Sequence, residues 1–409
     1  MDILSMNIQE LELLMKELGQ PAYRAVQIFE WLHQRLPNNP GEAFSFAAMD
    51  NLPKSLREDL EKHCYITQVE VAEKLTAKDG TIKYLLAFGS EDGEVHGDNK
   101  ALGVRQVAAP TVGNTDRLVG AATCRPQTCN GDQLKITTNQ LPKVHIESVL
   151  MEYVHGRSLC ISTQAGCRMG CVFCATGQGG LIRNLTAGEM CMQVYTAGGA
   201  RNIVLMGCGE PLDNFDQTMK FIELITHPKG AGIGQRHITL STCGLVPQMQ
   251  ALVKRRMQIT LAVSLHGPDD ATRQALMPIA KSYPIKELLA ACKEYTDTTH
   301  RRITFEYALT CGINDSPAQA RALASRLKGM LCHVNLIPVN QVIPTGGTEQ
   351  KLLKSLTGEI PPQILAPTKK REAMAFAAIL QQAGIPATVR RTIGAEVNAA
   401  CGQLRARKT

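Results

Sequence analysis

Three rhythms of hydrophobic and polar positions follow one another along this chain of 409 residues. The first is helical. Leu11, Leu13, Leu14, Met15 and Leu18 recur at near-helical spacing until Gly19 and Pro21 stop the segment. A second helix is predicted from about Ala22 to Gln34, with Val26, Ile28, Phe29, Trp31 and Leu32 on its apolar face, and a third follows Pro53 through Leu56 and Leu60. Together they predict a small helical bundle over residues 1–65. The second rhythm alternates with period two. V-E-V-A-E-K-L and T-I-K-Y-L-L-A-F flank a turn at Asp79-Gly80, and a further strand is expected from Val144 to Val154. This β-hairpin extension, residues 66–154, carries an apparent insertion at about 90–143. The insertion is rich in Gly, Asn, Asp and Thr, and such an excursion costs little because loop-closure entropy grows only logarithmically with length.

The third rhythm, over residues 155–409, repeats strand, loop and helix. Strands are predicted at Leu159 to Thr163, Asn202 to Met206, His237 to Ser241, Ile259 to Ser264, Ile303 to Leu309 and His333 to Pro338. Helical stretches such as Leu185 to Thr196 and Ile285 to Glu294 separate them. That order specifies an α/β domain with a parallel sheet, and periodicity alone fits a partial barrel, a full barrel or an open sheet. In parallel barrels the site forms where strands end, so polar residues should cluster there. They do: G-C-G-E-P from Gly207, S-T-C-G from Ser241, S-L-H-G from Ser264, and P-V-N ending at Asn340.

Composition adds limits. The chain contains no run of 18 apolar residues and its first residues carry acids in place of a basic leader, so no membrane partner and a cytoplasmic location are expected. Fourteen cysteines in such a chain argue for metal, redox or catalytic use rather than a disulfide framework. A net charge of +7 suits a polyanionic partner.

The chemistry concentrates between Cys160 and Arg183. Cys167, Cys171 and Cys174 form C-x3-C-x2-C, a compact set of thiolates suited to an iron–sulfur cluster, zinc or copper(I). Zinc sites usually close their shell with a second knuckle, and none follows here. Three thiolates on a cubane leave one iron open to a further ligand, and Phe173 between the last two cysteines could shield such a group from water. Cys124 and Cys129 form a separate pair with no further partner, which reads as structural.

The triad with its aromatic residue resembles the signature of radical S-adenosylmethionine (SAM) enzymes. The longer string C-x5-G-C-x3-C-x-F-C-A-T-G-x2-G, followed by R-N-L-T at Arg183 to Thr186, resembles the RlmN/Cfr family of RNA adenosine methyltransferases. L-G-x-P-x2-R-A-x-Q-I-x2-W near the N-terminus and A-A-C-G-Q-L around Cys401 are similar to further motifs of that family. The resemblance spans residues 1–89 and 144–405. It implies a partial (β/α)6 radical SAM barrel with an N-terminal helical RNA-binding accessory domain, a 4Fe–4S cluster, and SAM as co-substrate.

Matched residue by residue, Cys167, Cys171 and Cys174 become the cluster ligands. Gly209, Glu210, Ser241, Ser264, Leu265, His266 and Asn340 become SAM contacts; the alternative for Ser241 and Ser264 is a helix N-cap, and His266 taken alone reads as a structural histidine. Cys401 becomes the methyl carrier, Cys160 the second catalytic cysteine, and Glu147 the proton acceptor. The family's reaction methylates the carrier cysteine with one SAM. A second SAM is cleaved to a 5′-deoxyadenosyl radical that activates the thioether methyl. Addition to adenine leaves an RNA–protein adduct, which a transient disulfide resolves.

Expected partners are 23S ribosomal RNA at its peptidyl transferase region, transfer RNA beside the anticodon, and an electron donor such as flavodoxin, with the protein a monomer. Methylation of C2 is the first reading; the Cfr-type C8 reaction shares the same motifs, and a non-catalytic iron–sulfur RNA-binding protein is the rival from another class. Arg24, Lys54, Arg57 and Lys62, with a basic group at Lys369 to Arg371, Arg390 and Arg391, are candidates for phosphate contacts, and Gln341 to Lys370 for a mobile cover. Ile393, Ala395 and Val339 depart from the family pattern, which bears on substrate fit.

Overall fold

The computed structural model describes residues 1–34, 44–89, 141–154, 156–340, 365–390, 395–397, 399, 402–404 and 407–408. Residues 90–140 of the apparent insertion, with Cys124 and Cys129, lie outside the described residues, as do residues 341–364 of the expected cover, Arg391, Ile393 and Cys401.

Three helices open the chain: α1 (Ile8–Glu17), α2 (Tyr23–Gln34) and α3 (Lys54–His63). A capping box begins α1, the Asn7 side chain accepting from Glu10 N while the Glu10 carboxylate accepts from Asn7 N. Leu11, Leu14 and Met15 turn inward, whereas Leu13, counted above with the apolar stripe, is 63% exposed. Two strands follow as an antiparallel hairpin, β1 (Glu70–Thr76) and β2 (Ile82–Phe88), with Gly80 at φ +82° in the turn. Strand β3 (Val144–Tyr153) pairs antiparallel with β2 and then with β4 (Gly156–Cys160).

From β4 the sheet runs parallel. The strands β7 (Asn202–Leu205), β8 (Ile238–Thr242), β9 (Thr260–Ser264), β10 (Ile303–Leu309) and β11 (Cys332–Pro338) follow β4 in spatial order, as the strand–helix alternation predicts. A short strand not anticipated from the sequence, β12 (Ala387–Val389), adds parallel to β11. Helices α4 (Ala187–Thr196), α5 (Phe215–Thr226), α6 (Val246–Lys254), α7 (Asp270–Leu276), α8 (Ile285–Thr299), α9 (Pro317–Leu327) and α10 (Lys370–Gln382) fill the connections.

A second unanticipated feature is the two-stranded sheet of β5 (Gln164–Gly166) and β6 (Leu181–Asn184), which brackets the cysteine triad. Strand β13 (Arg407–Lys408) returns to pair with β3, so the chain's end is stitched to the extension.

Two boundaries differ from the sequence-based ones for clear reasons. Helix α4 starts at Ala187 because Thr186 takes the N-cap and Glu189 completes a capping box. Helix α8 continues five residues past Glu294: Thr296 and Thr299 donate their hydroxyls to backbone carbonyls, and Tyr295 Oη donates to Ile259 O at 2.9 Å.

One apolar core runs from the N-terminal helices through the barrel. The join is polar as well as apolar. Lys220 Nζ reaches Glu10 at 2.6 Å, Asn7 reaches Glu223 at 2.9 Å, and the buried His33 Nδ1 lies 2.7 Å from Tyr195 Oη. Asp2 is half-buried beneath α4, where its carboxylate accepts from Ser5 Oγ, and desolvation lifts its pKa above the usual carboxylate range. Gly188 permits this approach, since a Cβ there would lie 2.4 Å from Asp2 Oδ2. Among the described residues, no helix is long and apolar enough to cross a membrane.

Candidate active site

The triad lies on a loop clamped at both ends. At its entry Gly166, at φ +82°, packs so closely that a Cβ would meet Gly180 O at 2.0 Å, and Cys167 N donates to the same carbonyl at 2.9 Å. In the middle, Val172 N donates to Leu276 O at the end of α7. At its exit Ala175 N donates to Gly402 O at 2.7 Å, and Thr176 Oγ1 donates to Leu404 O at 2.6 Å. Arg168, between the first two cysteines, pairs with Asp213, which also accepts from Gln164 Nε2 at 2.9 Å.

Cys167 is buried, while Cys171 and Cys174 are half-buried. Burial pushes the Cys167 thiol up to about 12, and it also raises Cys171, with the neighbouring cysteines adding to both shifts. Such thiols stay protonated until a metal displaces the proton. Among the described residues, no three His, Cys, Asp or Glu side chains are gathered as ligands of a single ion. An iron–sulfur cubane carries its thiolates on separate corners, so it does not need them gathered around one ion. Three thiols on one tightly anchored loop, with no fourth cysteine in it, therefore fit a 4Fe–4S cluster with an open iron.

The strand ends face this loop. Gly207 and Gly209 let the G-C-G-E-P turn press against the chain after β4: a Cβ on Gly207 would lie 2.6 Å from Ile161 O, and one on Gly209 would lie 2.6 Å from Gln164 Cβ. Glu210 is buried; its carboxylate accepts from Leu212 N at 3.0 Å and Cys243 N at 2.7 Å, and its own N–H donates to Gln164 Oε1. Desolvation raises its pKa, and those hydrogen bonds hold it back. Ser241 and Ser264 stand half-buried at the ends of β8 and β9; neither caps a helix, since Asp269 caps α7 and Leu245 precedes α6. Leu265 is fully buried and donates its N–H to Glu306 O.

His266 adopts φ +55° and is buried. Ala308 N donates to its Nδ1 at 2.9 Å, Asn314 Nδ2 donates to its carbonyl, and Phe173 meets its ring edge-on at 4.6 Å. Burial drops its pKa to about 3, so the ring is a neutral wall beside the triad. Asn340 is half-buried just past β11.

On the other side of the triad, Cys160 ends β4 in a small packed cluster with Val149, Met151, Cys208, Ala399 and Leu404. Glu147 lies nearby on β3, buried, with Lys83 Nζ of β2 at 3.0 Å, while its carbonyl accepts from Ser162 Oγ. Cys401 lies outside the described residues; Ala399 and Gly402 on either side of it are anchored against Cys160's cluster and the triad loop.

The sequence missed Lys83, Asp213, Cys208 and Cys243. The signal for Asp213 was its place three residues after Glu210 in the same strand-end turn; nothing in the sequence paired Lys83 with Glu147. Among the suggested phosphate contacts, Arg24 and Arg57 donate to the backbone carbonyls of Asn51 and Ala47, and Lys54 and Lys62 pair with Glu58 and Asp59 one helical turn away.

Residues 161–323 match the radical SAM superfamily, and residues 1–66 match the ribosomal RNA large subunit methyltransferase N-terminal domain. A probable dual-specificity RNA methyltransferase RlmN of Clostridium perfringens (strain 13 / Type A) is 42% identical over 410 residues, covering 99% of this chain and 96% of that protein. The chain belongs to the RlmN family of radical SAM RNA methyltransferases.

The RlmN relative from Alkaliphilus oremlandii is also 42% identical, over 99% of this chain and 97% of its own length. A crystal structure of a radical SAM methyltransferase from Sphaerobacter thermophilus superimposes with a TM-score of 0.75 at 38% identity, covering 99% of each chain. Membership fixes the fold as the radical SAM α/β fold, and the cofactors as a 4Fe–4S cluster and SAM.

Proposed function

We propose that this RlmN-family enzyme methylates C2 of adenosine, in the peptidyl transferase region of 23S ribosomal RNA and beside the anticodon of transfer RNA. The observation that carries the reading is the seating of the C-terminal segment. Ala399 and Leu404 pack with Cys160, while Gly402 and Leu404 bond to Ala175 and Thr176 directly after the triad. The chain around Cys401 is thus tied both to a second thiol and to the loop proposed to hold the cluster.

In this reading Cys167, Cys171 and Cys174 hold the cluster. Gly209, Glu210, Ser241, Ser264, Leu265, His266 and Asn340 form the SAM pocket, some by direct contact and some, like His266, as its wall. Bound there, cluster and SAM together supply an electrophilic methyl group and a reductively generated organic radical. Cys401 carries the methyl group as a thioether and presents it to the adenine ring. Adenine C2 is itself electrophilic, so it cannot simply accept a methyl cation; a sulfur-bound methyl carbon activated as a radical can add to it. The ring radical so formed gives up one electron to the redox centre that supplied one, and the Glu147 carboxylate takes the C2 proton, with Lys83 balancing its charge. The Cys160 thiolate attacks the Cys401 sulfur, and the carbon–sulfur bond breaks with its electron pair going to the methylene carbon, which takes up a proton to become the methyl group. A Cys160–Cys401 disulfide remains, which an external dithiol reduces.

Residues 1–65 serve as the RNA-binding accessory domain on this reading, 66–154 as the β extension, and 155–409 as the barrel with its catalytic tail. The enzyme acts as a cytoplasmic monomer with an electron donor such as flavodoxin. The test is an anaerobic assay with reconstituted cluster, reductant, methyl-deuterated SAM and unmodified 23S RNA, read by nucleoside mass spectrometry. Labelled 2-methyladenosine supports the reading. Labelled 8-methyladenosine moves the enzyme to the C8 reaction, and no labelled adenosine rejects the assignment.

A further inference from the structure

Arg273, on α7, is the largest side chain among those sealed completely from solvent. A guanidinium carries five N–H donors and a permanent charge. Here Nη2 donates to Cys243 O at 2.7 Å and Nη1 to Tyr283 O at 3.0 Å, while Nε is buried with no acceptor. Of the adjacent carboxylates, Asp269 caps Thr272 N, and Asp270 accepts from Ile285 N while still favouring the charged guanidinium through space. Among the described residues, Arg273 forms no ion pair. A buried cation with no ion pair, an unfilled Nε donor and only this longer-range support is poorly compensated, so a further anion fits beside it.

The surroundings say which anion. Helix α7 is bonded to the triad loop through Leu276 O and Val172 N, one residue past Cys171. Cys243, whose carbonyl holds the guanidinium, interacts electrostatically with Cys171 and Cys167. Arg273 would favour a thiolate at Cys171, and such a thiolate would favour the charged guanidinium. Two strand-end glycines exist to admit this arrangement. A Cβ on Gly244 would lie 3.1 Å from Arg273 Nη2, and one on Gly267 would lie 2.8 Å from Arg273 N. The S-T-C-G and S-L-H-G turns therefore do two things: they end strands at the pocket, and they leave room to bury a cation behind the triad.

We propose that Arg273 is a positioning residue for the iron–sulfur centre, its guanidinium serving as the buried counter-charge of the three cluster thiolates and raising the cluster's reduction potential. The inference rests on Cys167, Cys171 and Cys174 holding the cluster. Three thiolates make the assembled group anionic, and the electron that reduces it adds negative charge, so a fixed cation favours the reduced form. One electron enters from the reductant, no bond in the protein forms or breaks, and Arg273 keeps its proton throughout.

The experiment compares full-length reconstituted wild type, Arg273→Gln and Arg273→Lys by iron and sulfide content, then by potentiometric titration followed by electron paramagnetic resonance in the absence of SAM. The Gln variant is expected to hold wild-type iron but to show a reduction equilibrium at least tenfold less favourable, a downward shift of about 59 mV for one electron. The Lys variant should keep most of the wild-type value. Equal potentials for wild type and Gln overturn the proposal, including the case in which only SAM affinity falls, which would make SAM's carboxylate the counter-ion. So does a Lys variant shifted as far as Gln, since packing rather than charge would then be responsible. If the Gln variant fails to hold a cluster, a loaded Lys variant near the wild-type potential supports the proposal and an unloaded one rejects it. Cys171→Ala, run alongside, loses iron if the triad reading is right; iron retained there condemns that reading instead.

Discussion

At the scale of single residues, the Glu147–Lys83 pair makes the sharpest claim. Both side chains are about nine-tenths shielded and lie 3.0 Å apart on neighbouring strands, close to the cluster of residues that contains Cys160. If Glu147 is the proton acceptor, Glu147→Gln keeps the shape and removes the base. Turnover should then fall by about 10²–10⁴-fold, as expected for losing a positioned general base, with iron content and SAM binding at wild-type levels. A variant with near-normal turnover would make Glu147 a structural partner of Lys83. The sequence showed Glu147 only through its family match; Lys83 was invisible because their contact depends on the antiparallel register of β2 on β3, which sets Leu85 opposite Glu147. Cys401 and the triad were legible because their chemistry forces a dense local motif. Arg273 was not, because its significance lies in being buried without an ion pair, and burial is a tertiary fact.

At the scale of elements, the R-N-L-T string has a structural explanation. Arg183 on β6 forms a bidentate pair with Glu189, at 2.7 and 2.8 Å, and Thr186 caps α4. The Glu189 side chain is fully buried and that of Arg183 nearly so, and Arg183 Nε also holds Pro142 O at 3.2 Å. One cluster of side chains thus joins the hairpin bracketing the triad to α4 and to the edge of β3. Removing one partner of such a pair leaves a buried charge alone. Arg183→Met is therefore expected to lose about 3–5 kcal/mol of stability, measured as a lowered urea midpoint. A midpoint within error of wild type would show that the pair is dispensable. The parallel strands β4 and β7 to β11 were legible from apolar runs with polar ends. The β5–β6 sheet and β12 were not: each is too short to build periodicity, and each forms because tertiary contacts supply the partner strand.

At the scale of the molecule, the N-terminal helices and the barrel share one core, with a titratable contact sealed in the join. His33 is fully buried between Phe29 and Tyr195, with Nε2 lacking a partner, and burial drops its pKa from 6.5 to about 3. Between those values the unfolded chain binds a proton that the native protein refuses. This contribution is therefore complete above pH 6.5 and lost as pH falls, by about 1.4 kcal/mol per pH unit. His33→Asn keeps an acceptor for Tyr195 and removes the titration. Its stability, measured by urea unfolding from pH 7 to pH 4, should fall less steeply than wild type by about that slope. Parallel slopes would show that His33 is not the group responsible. The sequence placed His33 on a helix but could not seal it, since the seal comes from α4, more than a hundred residues away.

The central claim is that Cys401 bonds to the RNA base and Cys160 releases it. Cys160→Ala should stop the cycle after the bond has formed. After incubation with SAM, reductant and unmodified RNA, the Cys160→Ala enzyme should accumulate a denaturation-resistant RNA–protein adduct. Peptide mass spectrometry should place the linked nucleotide on Cys401, and the Cys160→Ala/Cys401→Ala double variant should give none. Rapid formation of free methyladenosine by Cys160→Ala, with no adduct, would contradict the account.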